Sequence, residues 1–310
     1  MQLLATILPI FAIVVAGWVA GSTGYLPREL GASLTRFAYY VAMPALVFLT
    51  IGDERLRSLL DWRFMAAFGG GSLICFAAAT AVARMRPGAT LGSSAMLGAG
   101  VSMTNTAFVA LPVLKALYGR PGVLAAAIAT IFIGAFMFPM LVVLLEMSRS
   151  ATSRSIRFGA LIRQIATNPV ILSTILGLAW SLSGAGMPAS LDTLLSILGD
   201  ALTPCALFAI GLELTLGDLR RRFAFYGMLT FAKLVLTPLV VYLLCLAFGL
   251  DPISTAAAVV CAAVPTAKSA YILAVEYDVE KPMVGAVISM STLLSIVSMI
   301  GWLFLVQRLH

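Results

Sequence analysis

Two stretches of the 310-residue chain share the pattern Ala-x-Pro-x-x-Lys-x-x-Tyr: "ALPVLKALY" from Ala110 to Tyr118 and "AVPTAKSAY" from Ala263 to Tyr271. A proline inside a helix removes a backbone donor and frees a carbonyl. A lysine one turn on adds positive charge, so each stretch could help to hold an anion. The two lysines differ in depth. Lys115 lies near the end of its apolar run, where a long stem reaches the interface, and it reads as a solvated anchor. Lys268 has apolar neighbours on both sides and lies mid-run. A charge at such a depth costs about 2.5–3.5 kcal/mol on insertion scales, so an ionisable residue there marks a functional site by default. Asp200, Glu213 and Glu276, within or at the edges of apolar runs, are its candidate partners.

A second polar cluster sits at comparable depth. The run "SMTNTAF" carries Ser102, Thr104, Asn105 and Thr106, whose side chains compete with helical backbone bonding. Other chemistries lack their parts. The only histidine is His310, which removes most Ser/His, Cys/His and zinc sites, and no metal site is expected. Cys75, Cys205, Cys245 and Cys261 all lie in apolar runs without a CxxC pair and read as small hydrophobes.

The elements that must position these residues follow from composition. The chain is 61% apolar and 11% charged, with mean hydropathy +1.04. A soluble domain is about a quarter charged. The sequence therefore predicts an all-α polytopic membrane protein, with ten transmembrane helices at about 3–21, 34–51, 64–83, 93–117, 122–147, 168–183, 191–214, 225–248, 253–275 and 282–306. No Lys or Arg precedes the first run, which reads as a retained span rather than a cleaved signal peptide. An Arg-rich connection at 149–166 separates residues 1–148 from 167–310, five spans on each side.

Orientation follows from the basic residues of alternate loops. One side collects twelve: Arg28, Arg36, Arg84, Arg86, Arg149, Arg154, Arg157, Arg163, Arg220, Arg221, Arg222 and Lys281. The other has six: Arg55, Arg57, Arg63, Lys115, Arg120 and Arg308. The richer side is expected to be cytoplasmic, with both termini extracytoplasmic. This topology accounts for the net charge of +7 without nucleic acid.

Five spans is an odd number, so a second half that repeats the first must enter the membrane from the opposite side. "PALVF" at Pro44 to Phe48 and "PCALF" at Pro204 to Phe208, each followed within a few residues by Ile-Gly, support two inverted five-helix repeats. Inverted repeats are typical of secondary transporters, whose sites lie near mid-membrane. Depth then tests the opening match. Asn105 is 12 residues into the fourth span (from Ser93) and Pro265 is 12 residues into the ninth (from Ile253), whereas Pro112 is 19 in. The register is therefore "NTA" at 105–107 against "PTA" at 265–267, and the nine-residue match is out of register. Both spans are expected to unwind at mid-depth. Crossed there, they aim the N-terminal ends of their second halves at one point, which suits a carboxylate. The glycines of "GGGS" (Gly69 to Ser72) and of Gly17-x-x-x-Gly21 read as close helix packing rather than a phosphate loop.

"NTAFVALPVLKALYG" (Asn105 to Gly119), "PCALFAIGLEL" (Pro204 to Leu214) and "PTAKSAYILAVEY" (Pro265 to Tyr277) resemble the auxin efflux carrier family, and the similarity extends over all ten spans. The family includes plant auxin exporters and bacterial carriers assigned to malonate or malate. The resemblance implies a scaffold domain and a transport domain of elevator type, with broken helices 4 and 9 crossing at the substrate site. Asn105 matches the crossover asparagine that contacts substrate carboxylate, and Pro265 matches the ninth-helix proline. Thr104 stands where plant members carry a proline, which implies a softer first break. Lys268 stands where neutral residues are usual, a departure that puts simple transfer of plant substrate preference in doubt. The long cytoplasmic loop of the plant exporters is absent.

The expectation is a secondary or facilitated carrier of small organic anions across the bacterial inner membrane, working by alternating access. Thr104, Asn105, Thr106, Pro265, Thr266, Lys268, Ser269 and Tyr271 are the expected substrate-binding residues; Pro44, Pro112 and Pro204 are expected structural kinks. Lys268 could be a fixed counter-charge, a titrating group coupling H+, or an ammonium replacing a bound Na+. H+ or Na+ is the coupling ion to consider, and no cofactor is expected. Mono- and dicarboxylates fit, and Tyr271 and Phe108 leave aromatic acids open. The lipid bilayer is the surrounding partner, and a homodimer is one oligomeric state open to it. A membrane-embedded enzyme would need a convergent nucleophile and base, and an anion channel a polar lining along several helices. The clustering of polar residues at one depth favours neither.

Overall fold

A computed structural model describes residues 2–52, 62–149, 167–214 and 222–309. In lipid the backbone must bond internally, and uninterrupted apolar runs do so as helices. Twelve helical segments follow: α1 (Gln2–Ser22), α2 (Glu29–Gly52), α3 (Trp62–Arg84), α4 (Leu91–Ser102), α5 (Thr106–Tyr118), α6 (Arg120–Ser148), α7 (Pro169–Ser183), α8 (Ala189–Leu212), α9 (Phe223–Phe248), α10 (Pro252–Ala263), α11 (Lys268–Glu276) and α12 (Lys281–Arg308). Six of these are long and apolar enough to cross a membrane, and shorter apolar helices lie at 11–22, 106–118, 169–183 and 252–263. The fourth and ninth predicted spans are thus α4/α5 and α10/α11. The second starts at Glu29 rather than 34, because Glu29 and Arg36 dilute the hydropathy of an amphipathic first turn that is nevertheless helical. The Arg-rich connection lies outside the described residues except for Arg149, as do Arg55, Arg57, Arg220 and Arg221 of the orientation count.

Residue contacts divide the chain into two compact units. The first gathers α1, α2, α5, α6 as far as Thr130, α7 and α8. Its helices approach through glycines. A Cβ on Gly17 would collide with the Phe208 carbonyl, and one on Gly211 with the Val14 carbonyl, so α1 and α8 meet backbone to backbone. Gly21 faces Leu212, Gly177 faces Ile51 and Gly199 faces Leu46 in the same manner. Small residues at such crossings let dispersion replace the hydrophobic drive that lipid cannot supply.

The second unit holds α3, α4, α6 from Ile131 onward, and α9 to α12. Gly69 seats the Phe132 ring, Gly71 faces Val241 and Gly98 faces Phe76 and Thr80, so the glycine run of α3 is a packing device, as its sequence implies. Gly92 N–H donates to Ser148 Oγ at 2.9 Å, and Tyr277 OH donates to Glu146 Oε1 at 2.7 Å, tying α6 to α4 and to the end of α11.

Wide π turns interrupt the α-helices at 38–42, 65–69, 106–110, 133–137 and 232–236. Four of them are followed at the second residue by proline: Pro44, Pro112, Pro139 and Pro238. Proline cannot donate to the carbonyl four residues back, and its ring crowds that carbonyl. A wide turn just before it relieves both faults. Pro44 and Pro112, expected as kinks, therefore sit inside continuous helix behind a π turn, and Pro204 follows a single-residue turn at Ala201.

Replacing Gly211 with Val should lower the melting temperature in detergent by several degrees, a cost of about 1–3 kcal/mol for overpacking. Gly301→Ala, where a Cβ meets nothing within 4 Å, should change it little. Equal melting temperatures for the two variants would refute the close α1–α8 approach.

Candidate functional site

α4 and α10 are matched in length, 12 residues each, so the chain leaves the helix at the same distance from both starts. Both starts are capped. Thr90 and Ser93 form a reciprocal capping box before α4. Asp251 accepts from the N–H groups of Ile253 and Ser254, both at 3.0 Å, before α10. Partial burial pushes the Asp251 carboxyl up, but its hydrogen bonds with Ser254 and Ile253 outweigh that and hold it below the usual carboxylate value.

At Met103 (φ −76°, ψ 113°) and Val264 (φ −70°, ψ 162°) the backbone turns extended. With Thr104 in place of a proline, the chain still leaves the helix at the first break. Asn105 N–H donates to the Pro265 carbonyl at 2.8 Å, and Ala267 N–H donates to the Met103 carbonyl at 2.9 Å. These bonds flank an antiparallel bridge between Thr104 and Thr266. Asn105 lies opposite Pro265, so the pairing brings together the two residues that depth also matches.

The free carbonyls at the ends of α4 and α10 take donors from inside the second unit. Thr266 Oγ1 donates to Gly100 O at 2.6 Å, and Thr237 Oγ1 to Val101 O at 3.0 Å. Lys233 Nζ donates to Ala262 O at 2.6 Å. Thr266 N–H donates to Ser291 Oγ of α12 at 3.1 Å. Within 98–104 and 260–267, helix-end carbonyls are negative poles, and these donors engage those of Gly100, Val101 and Ala262.

The structure thus brings together Thr104, Asn105, Pro265 and Thr266, all buried. The buried Thr104 hydroxyl has no hydrogen-bond partner among the described residues. Lys268 is the first residue of α11 and is half-buried, with Ser269 beside it. Its ammonium therefore adds charge to a helix end that is already positive. Tyr271, one turn on, is 42% exposed. Thr106 belongs to the first unit, where its hydroxyl is hydrogen bonded to that of Thr130 at 2.9 Å.

Two expectations are revised. Lys115 is ion-paired rather than simply solvated: its Nζ lies 2.7 Å from Asp200 Oδ1. With side chains 28% and 72% exposed, that pair adds about 1 kcal/mol at most. It also occupies Asp200, one of the carboxylates considered for Lys268. The other revision is an omission. Lys233, in the middle of α9, has no solvent exposure at all, and sequence reasoning passed over it. The signal was present, because a lone lysine inside the apolar run 223–248 meets the same criterion as Lys268.

The whole chain matches known transporters. The model of the membrane transport protein family, the auxin efflux carriers, covers residues 2–303. The chain belongs to this family. A Rhizobium meliloti (strain 1021) relative, provisionally named a malonate transporter, is 28% identical over 308 residues, 99% of this chain and 96% of its own. An uncharacterised transporter of Methanothermobacter thermautotrophicus is 26% identical, with 96% of each chain covered. An uncharacterised transporter of Escherichia coli (strain K12) is 25% identical over 98% of this chain and 97% of its own. This member of the family is thus a membrane transporter and not an enzyme.

Thr266→Val keeps shape but leaves the Gly100 carbonyl without its donor, which should cost about 1–3 kcal/mol. A lowered melting temperature restored by Thr266→Ser is the expected result. Unchanged melting of Thr266→Val would show that the bond does not hold the break.

Proposed function

We propose that this family member is a secondary carrier of small carboxylates across the bacterial inner membrane, binding its substrate at the paired breaks 103–105 and 264–267. The observation that carries the reading is the charge arrangement at those breaks. Their negative helix ends are filled by Thr266, Thr237 and Lys233. The positive start of α11 carries Lys268. A carboxylate complements that end. Asn105 and the buried hydroxyl of Thr104 would supply neutral hydrogen bonds, Ser269 lies next to Lys268, and the exposed Tyr271 lies one turn along α11.

On this reading ten spans form two inverted five-helix repeats with both termini extracytoplasmic. The breaks cross near mid-membrane, and the second unit acts as the transport unit of an elevator. Alternating access then carries the carboxylate from one side to the other. The name of the Rhizobium relative makes malonate the first compound to test. With two carboxylates, malonate can engage the start of α11 and the Asn105 amide together.

Malonate, malate, acetate and an aromatic acid, each titrated against purified protein, should separate in thermal stabilisation, with malonate raising the melting temperature. Lys268→Ala should weaken apparent malonate affinity by about tenfold or more, the scale of a charge-assisted hydrogen bond. Asn105→Ala should abolish the shift. If no carboxylate stabilises the wild type, or if Asn105→Ala responds as the wild type does, the proposal is wrong.

A further inference from the structure

The carboxylate reading makes no use of Lys233, yet this side chain is the one fully buried cation among the described residues. It projects from the wide turn 232–236 of α9, and its Nζ reaches the carbonyl of Ala262. Ala262 is the penultimate residue of α10, so this carbonyl belongs to the negative end of a helix that stops inside the second unit. Among the described residues no carboxylate forms an ion pair with this amine, whose hydrogen bond goes to a backbone carbonyl. Its surroundings are Cys75, Cys261 and the Thr237 hydroxyl, which is committed to Val101 O.

The same helix therefore serves both broken ends differently. Thr237, one turn beyond Lys233, gives the end of α4 a neutral hydroxyl. Lys233 gives the end of α10 an amine donor, which carries a full positive charge when protonated. In carriers built from broken helices, unwound carbonyls and half-helix C-terminal ends are where a coupling cation is held. Here a covalently attached cation already fills such a place.

We infer that Lys233 is a built-in monovalent cation, which occupies the position of a coupling ion at the end of α10 and makes anion binding independent of sodium. The inference rests on the carboxylate reading of the adjacent break and names the ion requirement of that site. Its physical content is electrostatic. A buried ammonium with no carboxylate is costly, and a bound anion next to the helix end offsets that cost. Lys233 is thus a positioning residue: it fixes the end of α10, and with it the extended segment 264–267, and it need not touch the substrate.

The test uses full-length purified protein, malonate as probe, and NaCl or choline chloride at equal ionic strength. Wild-type protein should show the same malonate-induced melting shift in both salts. Lys233→Met keeps volume without charge and should raise the apparent Kd for malonate by about tenfold or more in both salts. Lys233→Ala leaves room for an ion and should show the same loss in choline, with recovery on adding methylammonium or Na+. A purely structural lysine predicts otherwise, because Met would preserve the packing and no amine would rescue. Retained malonate binding in Lys233→Met, or a sodium requirement in the wild type, overturns the inference. Should Lys233→Ala fail to fold, the near-isosteric Met variant decides alone. If malonate shifts nothing in the wild type, the carboxylate reading fails, and the inference is then read from ligand-free protein. Methylammonium should raise the melting temperature of Lys233→Ala and not of the wild type; an equal response overturns it.

Discussion

Backbone groups inside a bilayer have no water to bond, and every feature of the candidate site answers to that constraint. Two chain segments leave the helix at 103–105 and 264–267, freeing donors and acceptors at a depth where each orphan costs several kcal/mol. The breaks survive because they satisfy one another. Asn105 and Ala267 donate across the gap, and Pro265, which has no donor to give, supplies an acceptor. Either break alone would leave those groups unpaired. The second unit is then arranged around the pair: α3 packs on α4 and α9 through glycines, α9 delivers Lys233 and Thr237, and α12 delivers Ser291.

Charge follows from the same constraint. A broken helix exposes two poles, and this structure treats them unequally. The negative poles are consumed by hydroxyls and an ammonium from within the unit. The positive pole at the start of α11 is reinforced by Lys268. On the proposed reading that bias favours anions over cations before any substrate-specific contact is considered. Selectivity among carboxylates would then be a finer matter, set by where Asn105, Thr104 and Ser269 place their polar atoms.

Much of this was legible in the sequence, for identifiable reasons. Long apolar runs give helices in lipid almost without exception, so the helices and the second-unit breaks at Asn105 and Pro265 could be located along the chain. Glycine spacing likewise foretold close packing by α1 and α3, though not the helices they pack against. Two features were not legible. Four of the five wide turns precede a proline by two residues, a pairing that hydropathy does not register. The Lys115–Asp200 pair joins residues 85 apart in sequence, which no local pattern connects. Lys233 was legible as a lone lysine in an apolar run, but its partner was not, because a backbone carbonyl carries no sequence signature.

Hydrogen–deuterium exchange of the purified protein with and without malonate tests the central claim most directly, because it reports on backbone amides themselves. If the paired breaks bind the carboxylate, peptides spanning 100–106 and 262–271 should become protected together, while peptides from α7 and α8 exchange unchanged. Protection confined to other helices, or to only one of the two breaks, would contradict the account.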